Sequence, residues 1–306
     1  MRLAHCSDLH LLSHDGAGWL KLANKRWIGA ANLLTNRSRH YHVAAFEQMI
    51  ADLNAEGVDH VLCTGDVTNL ALRQEFEFAR KMFDQLAGGP HNVTVIPGNH
   101  DAYVAEGVGL FAEIFGPYHT TDPGFEWPVD PDPDQAWPIV RIRGELALVG
   151  VTTSRATPWF TAYGRVGETQ LARLAQVLAD PRLAGKTRVV AIHHPPAGKA
   201  AANRIRGLRD YQEFAQVIGE VGAELIVHGH EHRDMVEAIA GPSGPVPVRG
   251  IASGTYEHDK PHRTARYRVF EIERGRITSD HVRVWRRSDS IFAAEAGTAQ
   301  QSNYGT

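Results

Sequence analysis

Cysteine is scarce in this 306-residue chain: only Cys6 and Cys63 occur, each inside an apolar run. That argues against a disulfide framework and for two small buried hydrophobes. Neither sign of charge dominates, since 32 Lys and Arg stand against 35 Asp and Glu, a net charge of −3. No global basic field therefore advertises nucleic acid, and no stable nucleic-acid partner is expected. Runs of about 18 or more apolar residues are also missing, and the opening Met1-Arg2-Leu3-Ala4-His5-Cys6-Ser7-Asp8 breaks into charge before a signal-peptide core can form. The chain reads as cytoplasmic. With 43% hydrophobic and 22% charged residues it has the composition of a folded globular protein, and its one unusual abundance is 17 histidines.

Short apolar runs at 2–7, 58–64, 92–96, 146–151, 187–192 and 224–228 predict buried strands. Helical spacing of apolar residues predicts helices at 42–54, 74–86, 168–178 and 210–218, and this alternation predicts an α/β fold. After Val227 the texture turns to strand-like segments at 235–240, 247–252, 264–272 and 277–285 with Gly and Pro turns, which predicts a second, more antiparallel sheet. Residues 121–137, crowded with Pro and Asp, predict an exposed loop, and 287–306, polar and rich in small residues, a flexible C-terminal tail. The main domain is expected to span 1–286.

The chemistry gathers where the predicted strands end. Those ends read Ser7-Asp8-Leu9-His10, Thr64-Gly65-Asp66, Pro97-Gly98-Asn99-His100-Asp101, His193-His194-Pro195 and His228-Gly229-His230-Glu231-His232, the rim at which open α/β sheets place their ligands. Singly, each has an ordinary explanation as a turn or a satisfied core histidine. Five together on one rim point to a site built from oxygen and nitrogen donors, suited to Mn²⁺, Fe²⁺/Fe³⁺ or Zn²⁺. On extended backbone the members of Asp8-x-His10 and of His230-x-His232 would share a face, whereas adjacent His193 and His194 would point to opposite ones. His228 would share the face of His230 and is given a supporting role by default.

The ordered set Asp8-x-His10, Gly65-Asp66, Gly98-Asn99-His100-Asp101, His193 and Gly229-His230-x-His232 resembles the calcineurin-like metallophosphoesterase family, in particular its compact bacterial phosphodiesterases. The resemblance implies a four-layer α-β-β-α sandwich of two mixed sheets with a dinuclear metal site at the strand ends. It implies that Asp8, His10 and His232 hold one divalent ion, Asn99, His193 and His230 the other, and that Asp66 bridges them. The implied reaction is hydrolysis of a phosphate ester by attack of a metal-bridging hydroxide. His100, next to a ligand, is expected to serve the leaving-group oxygen, with Asp101 orienting it.

Substrate is less legible. A 3′,5′-cyclic nucleotide is the first expectation, because the chain is compact and has no separate nucleic-acid module. The alternative is a phospholipid-type or nucleotide-linked lipid diester or pyrophosphate, with a DNA nuclease and a non-catalytic metal-binding module ranked behind. The lipid alternative rests on the insertion 13–40, where Trp19, Leu20, Trp27 and Ile28 interleave with Lys21, Lys25 and Arg26. That pattern fits either packing on the sheet or a lid that touches lipid or a membrane surface. A homodimer is compatible with the late strands, which nothing in the sequence assigns to an edge.

Overall fold

The computed structural model describes residues 1–11, 41–128, 136–257 and 260–295. Alternation along β1 (Arg2–Cys6) sends Leu3 to one face and Ala4 and Cys6 to the other. The same rule sorts β2 (His60–Cys63), where Leu62 faces one way and Val61 and Cys63 the opposite way. With β3 (Val93–Val95) these strands form a parallel core, in register through Cys6 opposite Cys63 and Val61 opposite Val93. Both thiols are buried and free.

A second parallel core consists of β5 (Leu146–Gly150), β6 (Thr187–Ala191) and β7 (Leu225–His228). Leu146 and Leu148 of β5 and Val189 and Ala191 of β6 meet Leu3, Leu62 and Phe270 between the sheets. Burying each such side chain contributes roughly 1.5–3 kcal/mol. The outward faces are covered by helices. α1 (Val43–Glu56) lays Phe46, Met49, Ile50 and Leu53 on the first sheet and stops at Gly57, whose φ of 62° is left-handed. α2 (Arg73–Phe83) and α4 (Ala105–Phe115) complete that layer, the one-turn α3 (Gly89–Asn92) leading into β3. α5 (Glu168–Leu178) and α7 (Tyr211–Val221) cover the second sheet, and α6 (Gly198–Ala201) is a single turn between β6 and α7. Helix, sheet, sheet and helix are the four layers expected.

The late strands divide differently from the sequence reading. Rather than forming their own sheet, β8 (Met235–Gly241) and β9 (Gly244–Gly250) extend the second sheet beyond β7, while β10 (Arg266–Glu273) and β11 (Arg276–Arg286) extend the first beyond β1. Each sheet therefore has a parallel centre and antiparallel strands at its margin, β4 (Ile139–Arg143) flanking β5 in the second. Hairpins pair locally, and each here joined an open edge of one parallel core, β9 on β7 and β10 on β1. Residues 287–295, expected in the tail, instead carry β12 (Ile291–Ala294), paired antiparallel to β11 with Phe292 in the core. The insertion 13–40 lies outside the described residues, as do 129–135 of the predicted loop. Among the described residues no helix is long and apolar enough to cross a membrane.

Candidate metal centre

The C-terminal ends of β1, β2, β3, β6 and β7 converge, and with them all seven predicted ligands. Ligand atoms of Asp8, His10, Asp66 and His232 lie within 4.8 Å of one another. Beside them, Asn99 Oδ1 lies 3.0 Å from His193 Nε2 and 2.8 Å from His230 Nδ1. Asp66 faces both groups, its Oδ2 standing 3.8 Å from His10 Nε2 and 3.6 Å from His193 Nε2.

Backbone conformation brings these side chains together by a route other than strand alternation. Asp8, His10, Asp66, His230 and His232 all adopt left-handed φ, between 45° and 72°. Such conformations cost non-glycine residues of order 1 kcal/mol each and persist where the surroundings over-determine them. Asp8 N–H donates to the Gly65 carbonyl and His10 N–H to that of Asp66, so the turn after β1 is bonded to the turn after β2. A Cβ on Gly98 would lie 2.2 Å from Asp66 Oδ1, and one on Gly229 would lie 2.5 Å from Asp8 Oδ2. Gly98 is required by the closeness of the Asp66 side chain, and Gly229 by the Ser7 hydroxyl, 1.9 Å from that Cβ, together with the Asp8 carboxylate.

Two tautomers are set by carbonyls of one short loop. His193 Nδ1 donates to the Thr64 carbonyl at 2.7 Å, and His10 Nδ1 donates to that of Thr68 at 3.3 Å. Each ring is left with a lone pair on Nε2, and both lone pairs face the Asp66 carboxylate. Burial holds His193 below its ordinary pKa and His230 well below, so these rings are neutral donors. Burial opposes ionisation of Asp8 too, but His232, with Nε2 at 3.2 Å, keeps its carboxyl below the usual range. His230 Nε2 is buried without a hydrogen-bond partner. Electron-rich atoms converging in a dry site are mutually repulsive unless a cation stands among them, and a donor set of carboxylate, imidazole and amide oxygen fits divalent ions.

His100 lies at the edge of this cluster. Its Nδ1 donates to the Asn69 carbonyl at 2.7 Å, and its ring stacks on Tyr103 and meets His10 edge-on. Asp101 does not orient it. The Asp101 carboxylate accepts instead from the N–H groups of Gly98, Val67 and Thr68 and from the Thr68 hydroxyl, at 2.8 to 3.2 Å. It joins the β2 and β3 turns from beneath, and burial pushes it up to about 6 against the pull of those four donors.

His194 does not point to the opposite face from His193, because its ring packs against those of His193 and His230, but both its nitrogens are taken, Nδ1 by the Thr153 hydroxyl and Nε2 by the Ala162 carbonyl. His228 is buried beside Gly250, where an added Cβ would stand 2.6 Å from its ring, and it lies outside the ligand group. Two contributors had no signal in the sequence. Tyr41 brings its hydroxyl 3.1 Å from His232 Nδ1, and Arg206 places its guanidinium 3.4 Å from the His230 carbonyl. Neither belongs to a strand-end motif, so only the folded chain reveals them.

The family model for calcineurin-like phosphoesterases matches residues 1–234, a stretch that ends just beyond the last ligand. Among solved structures the fold is similar to a dimetal phosphatase from Danio rerio, with TM-score 0.55, 12% identity, and 92% of this chain covering 94% of that one. It is also similar to the purple acid phosphatase PPD1 from yellow lupin (Lupinus luteus) seeds, with TM-score 0.60 and 12% identity, where 96% of this chain spans 52% of the lupin chain. No curated protein sequence matches significantly.

Proposed function

Because the chain belongs to the calcineurin-like phosphoesterase family, and is thereby a metal-dependent phosphoric ester hydrolase, we propose that it acts as a phosphodiesterase on a 3′,5′-cyclic nucleotide. In this reading Asp8, His10 and His232 hold one divalent ion, Asn99, His193 and His230 the second, and Asp66 serves both. The observation that carries it is the pair of imidazole lone pairs, on His10 and His193, turned on the same Asp66 carboxylate. Two such ions supply positive charge to the phosphoryl oxygens and an activated water at neutral pH. The near-neutral charge of these residues favours a small diester over a nucleic acid.

The remaining work falls to His100. With Nδ1–H committed to the Asn69 carbonyl, Nε2 is the nitrogen that exchanges a proton, and the ring's packing against Tyr103 and His10 fixes where it does so. It would hand that proton to the departing ester oxygen. His100→Ala is expected to lower kcat by about 10²–10⁴-fold while metal content, measured by elemental analysis, stays at the wild-type value. Lost metal with unchanged activity per loaded site would remove His100 from this role.

The substrate assignment is tested by initial rates of Mn²⁺-loaded protein on an aryl phosphodiester, its monoester, 3′,5′-cyclic AMP and a lipid-linked pyrophosphate, each with and without chelator. Turnover that chelator abolishes, with cyclic AMP well above the lipid, is the expected pattern. Dominance of the lipid would transfer the assignment to the lipid class, and silence on every ester with metal bound would overturn hydrolysis itself.

A further inference from the structure

Two loops that hold none of the ligands meet beside them. The first, 153–164, is anchored by His194, whose ring lies 5.1 Å from that of His193 and 4.4 Å from that of His230. The second, 203–209, is laced to the first: Ala162 N–H donates to the Ile205 carbonyl, Gly164 N–H to Gly207, and Arg209 N–H to Gly164, at 2.9 to 3.0 Å. From the second loop Arg206 reaches back to the His230 carbonyl. Its side chain is 52% exposed and meets Glu231 only at 4.0 Å.

The same loops expose apolar surface. Five large hydrophobic residues are exposed among the described residues, and three of them stand here: Trp159 at 56%, Phe160 at 77% and Ile205 at 56%. Phe160 is moreover held at a left-handed φ of 65°, a conformation that aromatic side chains rarely adopt. Arg155, Arg204 and Arg209 belong to the same segments. Two adjacent flat rings in a cationic setting, left open to water, suit a planar group that carries phosphate. An acyl chain gains most where a groove removes it from water on nearly all sides, whereas a base needs only one flat face to stack upon.

We propose that this lip is the specificity subsite of the enzyme: Arg206 contacts the phosphate oxygens, and Trp159 and Phe160 stack on the base of a nucleotide. The assignment rests on the phosphodiesterase reading and adds to it the residues that would select a nucleoside. Three variants and one control test it in the metal-loaded, full-length protein. Trp159→Ala/Phe160→Ala is expected to raise KM for cyclic AMP by about 5- to 100-fold, with kcat changed far less. The ratio of kcat/KM for cyclic AMP to that for glycerophosphoethanolamine, an aliphatic diester, falls correspondingly. Arg206→Ala raises KM for both diesters, and Arg206→Lys recovers part of the loss. Val236→Ala, which removes an exposed apolar side chain from β8 far from these loops in sequence, is the control for surface hydrophobicity.

AMP binding, measured by calorimetry, reads the lip without turnover. Weaker AMP binding in the double variant than in wild type and the Val236→Ala control supports the lip even where wild type hydrolyses neither diester, a result that would sink only the phosphodiesterase reading. Equal AMP affinity in the double variant and wild type, no AMP binding by wild type, or an equal change for both diesters would overturn it.

Discussion

Asp66→Asn should abolish nearly all activity, lowering kcat/KM by about 10³-fold or more, roughly 4 kcal/mol of transition-state stabilisation. The substitution keeps the side chain's shape and can retain the 2.7 Å hydrogen bond that Oδ1 accepts from His100 N–H. What it removes is the negative charge on which both His10 and His193 converge. Metal binding should weaken at both halves of the site together, which titration followed by elemental analysis would read. Activity within tenfold of wild type at saturating metal would show that Asp66 is not the shared ligand.

The second large effect is on stability. Asp101→Ala leaves three N–H groups and a hydroxyl without their acceptor in the interior of the protein. At roughly 1–3 kcal/mol for each buried group left unsatisfied, with some relief from entering water, the loss should be of order 3–5 kcal/mol. A denaturant titration should show a lower midpoint with the slope unchanged. A loss of activity with no loss of stability would return Asp101 to direct chemistry. Asp101→Asn offers the loops one acceptor oxygen and opposes them with an amide N–H, so its stability should fall between those of the other two proteins.

The candidate site was unusually legible because its residue types sit where strands end, and strand ends can be read from apolar runs alone. Asp8 and His10 nonetheless converge by a different route from the one their spacing predicts. Strand alternation was the expectation, and left-handed turns do the work, a conformation that residue spacing does not reveal. His193 was separable from His194 by the resemblance and not by adjacency, since their rings pack together, whereas Tyr41 and Arg206 were not separable from any other tyrosine or arginine. In the fold, α4 escaped notice because Gly107 and Gly109 interrupt its helical pattern, although Gly107 is required by the close approach of the Asp101 carbonyl, 2.5 Å from where a Cβ would be. β12 escaped because four residues in a polar stretch carry too little pattern. The division of the late strands between two sheets was hidden as well, since a hairpin's sequence specifies its own pairing and not the edge it will join.

Thr64 and Thr68, whose carbonyls set the His193 and His10 rings, stand two residues to either side of Asp66. The whole span is five residues long, and its register is fixed by covalent geometry. Adding or deleting a single residue there would displace a donor in each half of the site at once, so this loop should tolerate no change of length. The loops at 153–164 and 203–209 reach the same centre through a few contacts, among them His194, Arg206 and the Ser154 hydroxyl on the Pro97 carbonyl. Beyond those anchors, their exposed residues can change while the ligands keep their places. The architecture thus separates a part that cannot drift from a part that can, and new substrate preferences would be expected to arise in the second.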